Sequence, residues 1–148
     1  MRENVMREIT THMVAGLPAN LQLRVFAEER VGAGGAPIIY EVASDEVERS
    51  VTGGFQFSYG GGKKNGDAYF QDFLKFQKGG IREPGDVNGM TNEALLAIVI
   101  DRLECFQAGS HPCPQNDLAI RWTKDALKAL KNRTEERLRR GVEGKEEA

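Results

Sequence analysis

The chain has 148 residues, 40% of them hydrophobic, with 20 basic and 22 acidic side chains and a net charge of −2. This length and composition predict one soluble globular domain, and the near-neutral charge argues against a protein that coats nucleic acid. The sequence has no run of about 20 apolar residues for a membrane-spanning helix, no signal-peptide pattern at its start and only two cysteines, so we expect a cytoplasmic protein without a disulfide scaffold.

Residues 1–19 predict a short N-terminal helix or a frayed arm, because their apolar residues follow a weak helical period that stops at a breaker at 16–18. From residue 20 the period changes to two, which is typical of a strand with one wet face. Residues 21–25 and 38–42 lie on either side of a glycine turn at 32–35, and they predict a β-hairpin.

Residues 55–78 predict a second hairpin. Aromatic residues alternate over 55–59, the glycine-rich residues 60–66 predict a turn, and residues 68–78 supply the return strand, where periodicity alone leaves a helix open. The turn is not a phosphate-binding loop, because Lys63 is followed by Lys64 and Asn65 instead of Ser or Thr and a helix. We assign residues 20–90 to an antiparallel β-sheet region.

Residues 91–148 predict a helical hairpin with a basic C-terminal end. Thr91 is a suitable N-cap for a first helix, whose apolar residues between 95 and 106 cover most of its circumference. A loop at 108–114 precedes a second helix, which begins near Gln115 or Asn116 and ends before Gly141. The predicted fold class is α+β, with a small N-terminal antiparallel β-sheet followed by a C-terminal two-helix hairpin.

One stripe of the second helix changes from apolar to cationic without leaving its face. At helical spacing, the stripe consists of Ala119, Trp122, Ala126, Leu130, Arg133 and Arg137. Basic residues near a helix C-terminus balance the helix dipole. Two arginines at i and i+4 also present adjacent forks suited to phosphate, and the residues alone leave both interpretations open.

The residues predict no catalytic or metal site. Cys105, His111 and Cys113 cluster near one loop, but a structural zinc site needs a fourth ligand and none is close in sequence. Neither His12 nor His111 has a context typical of a catalytic base. We therefore expect no metal, no cofactor and no enzymatic activity.

From residue 76 onwards the chain carries a distinctive set of motifs. They are FQKGGI at 76–81, VNGMTNEALLAIVIDRL at 87–103, Phe106-Gln107, Cys113, Asn116, Arg133-Thr134, Arg137 and RGVEG at 140–144. This half of the chain resembles the phage Thoeris anti-defence sponges, whose helical-hairpin domain is shared more distantly with phage anti-CBASS sponges. The resemblance implies a non-enzymatic phage protein that binds a cyclic nucleotide immune signal and sequesters it in the cytoplasm of the infected bacterium.

The resemblance also implies a ligand and a site. The signal would be a cyclic ADP-ribose isomer, with cyclic di- or trinucleotides at a separate site. The ligand-binding residues would be Phe106 and Asn116 on one side of the pocket, and Arg133 and Arg137 on the other. These roles are chemically sensible, because an aromatic ring stacks on adenine, an amide pairs with base or ribose edges, and paired guanidiniums bind a pyrophosphate.

Helix geometry constrains this site. Arg133 and Arg137 follow Asn116 by 17 and 21 residues on one predicted helix, which places them roughly 25–30 Å away. We therefore expect a pocket built between two chains packed antiparallel. The expected homo-oligomer is based on dimers, and a hexamer is one candidate for its size. The same assembly would cover the first helix, which is apolar on all sides.

Three alternatives remain open at this point. A phage accessory protein could bind nucleic acid through Lys124, Lys128, Lys131 and Arg139, and its binding would fall steeply with salt. An enzyme could cleave the signal instead of holding it. An oligomeric scaffold could use the hairpin for assembly alone.

Overall fold

The computed structural model describes residues 5–29, 32–37, 39–43, 60–64, 67–71 and 76–146. Strands and short turns precede two long helices in these ranges. In chain order the elements are β1 (Met6–Ile9), β2 (Arg24–Glu28), β3 (Tyr40–Ala43), β4 (Gly60–Lys64), β5 (Asp67–Gln71), α1 (Asn92–Ala108) and α2 (Pro114–Arg139). The predicted α+β class, with an antiparallel sheet followed by two helices, is confirmed.

The first sheet is antiparallel with the order β1-β2-β3. Its centre pairs Val25 of β2 with Ile9 on one side and with Val42 on the other, and all three side chains are buried. The predicted hairpin of β2 and β3 is therefore confirmed. The predicted N-terminal helix is wrong, because Met6–Ile9 forms a strand that pairs with β2. Pairing with β2 buries Ile9, and this outweighs the weak helical period of the segment.

The second sheet is a two-stranded antiparallel pair of β4 and β5. The return strand is confirmed over Asp67–Gln71, where it is not a helix. The predicted turn at 60–66 is wrong for Gly60–Lys64, which forms a strand, because ladder hydrogen bonds use only backbone groups and glycine supplies them. The predicted strand at 55–59 lies outside the described residues.

Both helices have the ends that the sequence predicts. At the start of α1, the Thr91 hydroxyl accepts a hydrogen bond from the Ala94 N–H at 3.2 Å. Helix α2 begins at Pro114, slightly earlier than predicted, with proline in the first turn where no N–H partner is needed. At its end, Gly141 has a φ of +71° and donates its N–H to Leu138 O, as in a Schellman motif.

The core lies between the first sheet and α1. Ala94 and Ala97 are fully buried, and their small side chains bring the helix close to the strands. Tyr40 of β3 also links the sheet to the helix, because its hydroxyl donates a hydrogen bond to Asp101 of α1 at 2.9 Å. Burial raises the pKa of this tyrosine. The core cluster comprises Ile9, Leu23, Val25, Ala27, Val42, Val87, Met90, Ala94 and Ala97. Among the described residues, no helix combines the length and the apolar character needed to cross a membrane.

Candidate ligand-binding site

Phe106 and Asn116 lie together at the closed end of the hairpin. Phe106 occupies the last turn of α1 and Asn116 the first turn of α2. His111 links them, because its ring meets Phe106 edge-on with 6.4 Å between centroids, and its carbonyl accepts a hydrogen bond from Asn116 Nδ2 at 3.3 Å. The structure therefore brings two of the four predicted ligand-binding residues into one group, which we call the aromatic half-site.

The Phe106 ring is held by neighbours from two elements. The Arg102 guanidinium lies over the ring, 5.1 Å from its centroid, and also donates to Pro37 O. The second neighbour is Gly34, in the turn between β2 and β3, where a Cβ would be 2.8 Å from the ring. Arg102 is not among the predicted ligand-binding residues, although its i, i+4 spacing to Phe106 predicts a contact on a helix.

Arg133 and Arg137 lie at the opposite end of α2, which we call the arginine half-site. The Arg133 side chain is 65% exposed, and its Nη2 lies 3.6 Å from a carboxylate oxygen of Glu93. Arg137 is more buried and donates through Nε to Glu143 at 3.0 Å and through Nη2 to the carbonyls of Val142 and Lys145 at 2.9 and 2.7 Å. Arg133 therefore faces outwards, whereas Arg137 holds the segment that follows its own helix.

One chain does not bring the two half-sites together. Helix α2 is continuous from Pro114 to Arg139, so Arg133 lies about 26 Å from Asn116 along the axis and Arg137 about 32 Å. A single nucleotide cannot span that distance. The two half-sites can meet on one ligand only if different chains supply them.

A cavity of about 380 Å³ adjoins the arginine half-site. The residues before β2, the segment at 76–81, the start of α1 and the end of α2 form its walls. Its polar lining includes His12, Thr91, Glu93, Arg133 and Glu143. Local sequence does not predict that His12 and Glu93 line one cavity, because their meeting depends on how distant segments pack.

The stripe between the two half-sites is open on one side. Trp122 is 64% exposed, and Ala126, one turn later, is also exposed. Leu127, on a different face of α2, is the side chain that the hairpin buries. Within the predicted stripe, Trp122 and Ala126 are exposed, whereas Ala119 and Leu130 are half-buried.

The cysteine cluster at the hairpin loop consists of free thiols. Cys105 and Cys113 form no disulfide, and burial raises the pKa of the Cys105 thiol, so it stays protonated at neutral pH. Within the ranges that the structure describes, no three His, Cys, Asp or Glu side chains are placed to hold a metal ion.

Together, the fold and the two half-sites define an α+β protein with a long helical hairpin that carries an aromatic–amide group at one end and an arginine pair at the other. No protein-family model matches the chain. Over 98 residues the chain is 41% identical to Thoeris anti-defense 1 from Bacillus phage SBSphiJ7, a match that covers 62% of this chain and 68% of that protein. The chain therefore belongs to the Thoeris anti-defence 1 family, and the family predicted from the motifs is confirmed.

Proposed function

We propose that this protein counteracts bacterial Thoeris defence by binding a cyclic nucleotide immune signal in the host cytoplasm and holding it without cleavage. The relative from Bacillus phage SBSphiJ7 is named for opposing Thoeris, which supports the anti-defence role. The observation that carries the mechanism is the placement of stacking and cationic groups at opposite ends of the helical hairpin. A cyclic ADP-ribose isomer needs both kinds of group.

The chemistry of each half-site fits one part of such a ligand. Phe106 offers an aromatic surface on which adenine stacks, and the Asn116 amide can pair with base or ribose edges. Arg133 projects from the surface with its guanidinium available to a pyrophosphate. Arg137 is already oriented by Glu143, so a ligand phosphate would meet a guanidinium that needs little reordering.

A pocket shared by two chains would bring the two half-sites together despite their separation along α2. In an antiparallel pair of α2 helices, Asn116 of one chain can face Arg133 of its partner. The two-fold axis then passes between positions 124 and 125, midway between these residues. The stripe residues on either side of that point are Trp122 and Ala126, which are both exposed. A dimer in this register covers the apolar surface and forms two composite pockets, and such dimers can assemble further, as in a hexamer.

The nucleic-acid alternative is less well supported, because most of its basic groups are already engaged. Lys124 pairs with Glu104, Lys131 donates to Thr11 O, and Arg139 pairs with Glu136. Two of these partners are carboxylates, Glu104 of α1 and Glu136 of α2, and a phosphate backbone would have to displace them.

Incubation with a panel of small ligands tests the proposal. The purified protein is mixed with cyclic ADP-ribose isomers and with cyclic di- and trinucleotides, and is then separated, denatured by heat and analysed by mass spectrometry. We expect depletion of at least one ligand and its intact release. A cleaved product would make the protein an enzyme, and no depletion across the panel would reject signal binding.

A further inference from the structure

The cavity beside Arg133 is lined by acceptors more than by cations. Glu93, Glu143 and His12 are among the residues that line it, and the Glu143 carboxylate already accepts a hydrogen bond from Arg137. The side chain of Glu93 is 17% exposed and that of Arg133 65% exposed, so the acid lies inside and the arginine at the rim. A phosphate suits the rim, whereas the interior suits a group that donates hydrogen bonds.

His12 supplies an acceptor that the protein itself leaves unused. The side chain is 5% exposed, and its Nε2–H donates to Leu23 O at 2.7 Å. In a neutral ring, Nδ1 is then a lone-pair acceptor. Among the described residues, His12 Nδ1 is the buried side-chain polar atom that has no hydrogen-bond partner. Such an atom costs stability unless a ligand or water donates to it.

Glu93 is the strongest acceptor in the cavity. It lies in the first turn of α1, where the helix dipole stabilises its negative charge. Its contact with Arg133 is long, at 3.6 Å, and leaves lone pairs of the carboxylate for other donors. Carboxylates that hydrogen-bond ribose hydroxyls recur in nucleotide-binding proteins.

We propose that this cavity is a ribose subsite in which Glu93 accepts hydrogen bonds from a vicinal diol while Arg133 binds the adjoining phosphate. The inference rests on the proposed function and identifies Glu93 as a specificity-determining residue of the same pocket. Ring isomers of ADP-ribose that are closed through different ribose hydroxyls leave different hydroxyls free. Glu93 would therefore favour the isomer whose free diol reaches it.

The test uses three small probes: inorganic pyrophosphate, ribose 5-phosphate and 2-deoxyribose 5-phosphate. A hydrogen bond to a charged acceptor corresponds to about tenfold in affinity, so the native protein should prefer ribose 5-phosphate over the deoxy sugar by about that factor. Glu93→Gln should abolish this preference, and it should also bind pyrophosphate more tightly because a negative charge beside Arg133 is gone. These opposite changes distinguish diol recognition from a structural role, which would move all three affinities together.

Glu136→Gln is the matched control, since Glu136 pairs with Arg139 and is not among the residues that line the cavity. It should keep the ribose preference, and thermal melts should show both variants folded. The ribose subsite would be overturned if the native protein does not prefer ribose 5-phosphate over the deoxy sugar. It would also be overturned if Glu93→Gln keeps that preference. The probes are independent of the cyclic signal. Ribose preference without binding to the cyclic-nucleotide panel would therefore reject the proposed function alone, and panel binding without ribose preference would reject only this inference.

Discussion

Gly34 lies against the ring of Phe106, with a φ of +86° and so little space that a Cβ would sit 2.8 Å from ring carbon Cδ1. Gly34→Ala should therefore combine backbone strain with displacement of the ring, and it should lower the free energy of unfolding by about 2–4 kcal/mol. Urea unfolding measures this loss. Gly16→Ala is the matched control, because Gly16 has a φ of +91° but nothing within 4 Å of the added Cβ.

The control should cost about 1–2 kcal/mol, which is the backbone term alone. The difference between the two variants then measures how firmly the turn positions Phe106. Equal losses in both variants would show that the turn does not constrain the ring.

Alanine substitutions of Arg133 and Arg137 should both weaken ligand binding but should differ in their effect on the free energy of unfolding. Arg133→Ala removes one exposed ion pair and should change the free energy of unfolding by less than about 0.5 kcal/mol. Arg137→Ala removes hydrogen bonds to Glu143 and two carbonyls and should cost about 1–2 kcal/mol. Both variants should bind the signal at least about tenfold more weakly.

Urea unfolding and calorimetric ligand titration measure the two effects for each arginine. Arg139→Ala serves as the control, since its guanidinium pairs with Glu136 on an exposed surface. It should change neither quantity appreciably. Equal destabilisation by Arg133→Ala and Arg137→Ala would contradict the division of roles.

Local signals explain why the helices were predictable. Thr91 caps α1 and Gly141 ends α2 through contacts within a few residues, so the sequence contains what is needed to place them. The meeting of Phe106 and Asn116 follows from the hairpin itself. By contrast, Met6–Ile9 is a strand only because β2 lies beside it, and a window of local sequence does not contain that partner.

The arginine half-site depends on contacts of a kind that periodicity does not predict. Glu93 reaches Arg133 because of the rotation of α1 against α2, which is set by core packing. Arg137 meets Glu143 because the turn at Gly141 folds the chain back onto its own helix. His12 joins the same cavity through the loop between β1 and β2, and the weak helical period of that segment does not predict its neighbours. The residue types were visible in the sequence, but their neighbours were not.

His12 should make stability fall in mildly acidic solution. Burial lowers the pKa of this histidine below its ordinary value of 6.5, and Lys131 adds to the effect. The unfolded chain therefore binds the proton more readily than the folded one. The contribution of neutral His12 is complete above about pH 6.5 and is lost as the pH falls through the lower folded-state pKa.

Urea midpoints at about pH 7.5 and about pH 5.5 measure this dependence. His12→Gln should show a smaller fall than the native protein. His111→Gln should retain the native fall, because His111 is exposed in the hairpin loop. An unchanged fall in His12→Gln would assign the effect to other groups.

Trp122 should report assembly directly, because it is the single tryptophan of the chain and is 64% exposed in one protomer. If the stripe forms the dimer interface, its emission should shift to shorter wavelength as protein concentration rises. Trp122→Glu should place a charge beside the two-fold axis and shift the protein to monomer in sedimentation experiments. Ala129→Glu, at an exposed position of α2 outside the stripe, controls for the same change in charge. Oligomers that persist unchanged in Trp122→Glu would exclude the stripe as the interface.

Mixed dimers provide the most direct test of a pocket shared between chains. Phe106→Ala damages the aromatic half-site and Arg133→Ala the arginine half-site, so each variant alone should fail to retain the signal. In a mixed dimer, one pocket receives both intact half-sites and the other receives both damaged ones. Random exchange of equal amounts should therefore restore about one quarter of the native sites.

The matched control mixes Phe106→Ala with Asn116→Ala, which both damage the aromatic half-site. Every pocket in that mixture keeps one damaged half, so no sites should return. Equilibrium dialysis against the bound signal counts the sites after the chains have exchanged. Restoration only in the first mixture requires that one ligand contacts two chains. If neither mixture recovers binding sites, a single chain supplies all the contacts to each ligand. Because Asn116 and Arg133 lie about 26 Å apart along α2, these two residues would then not share a ligand.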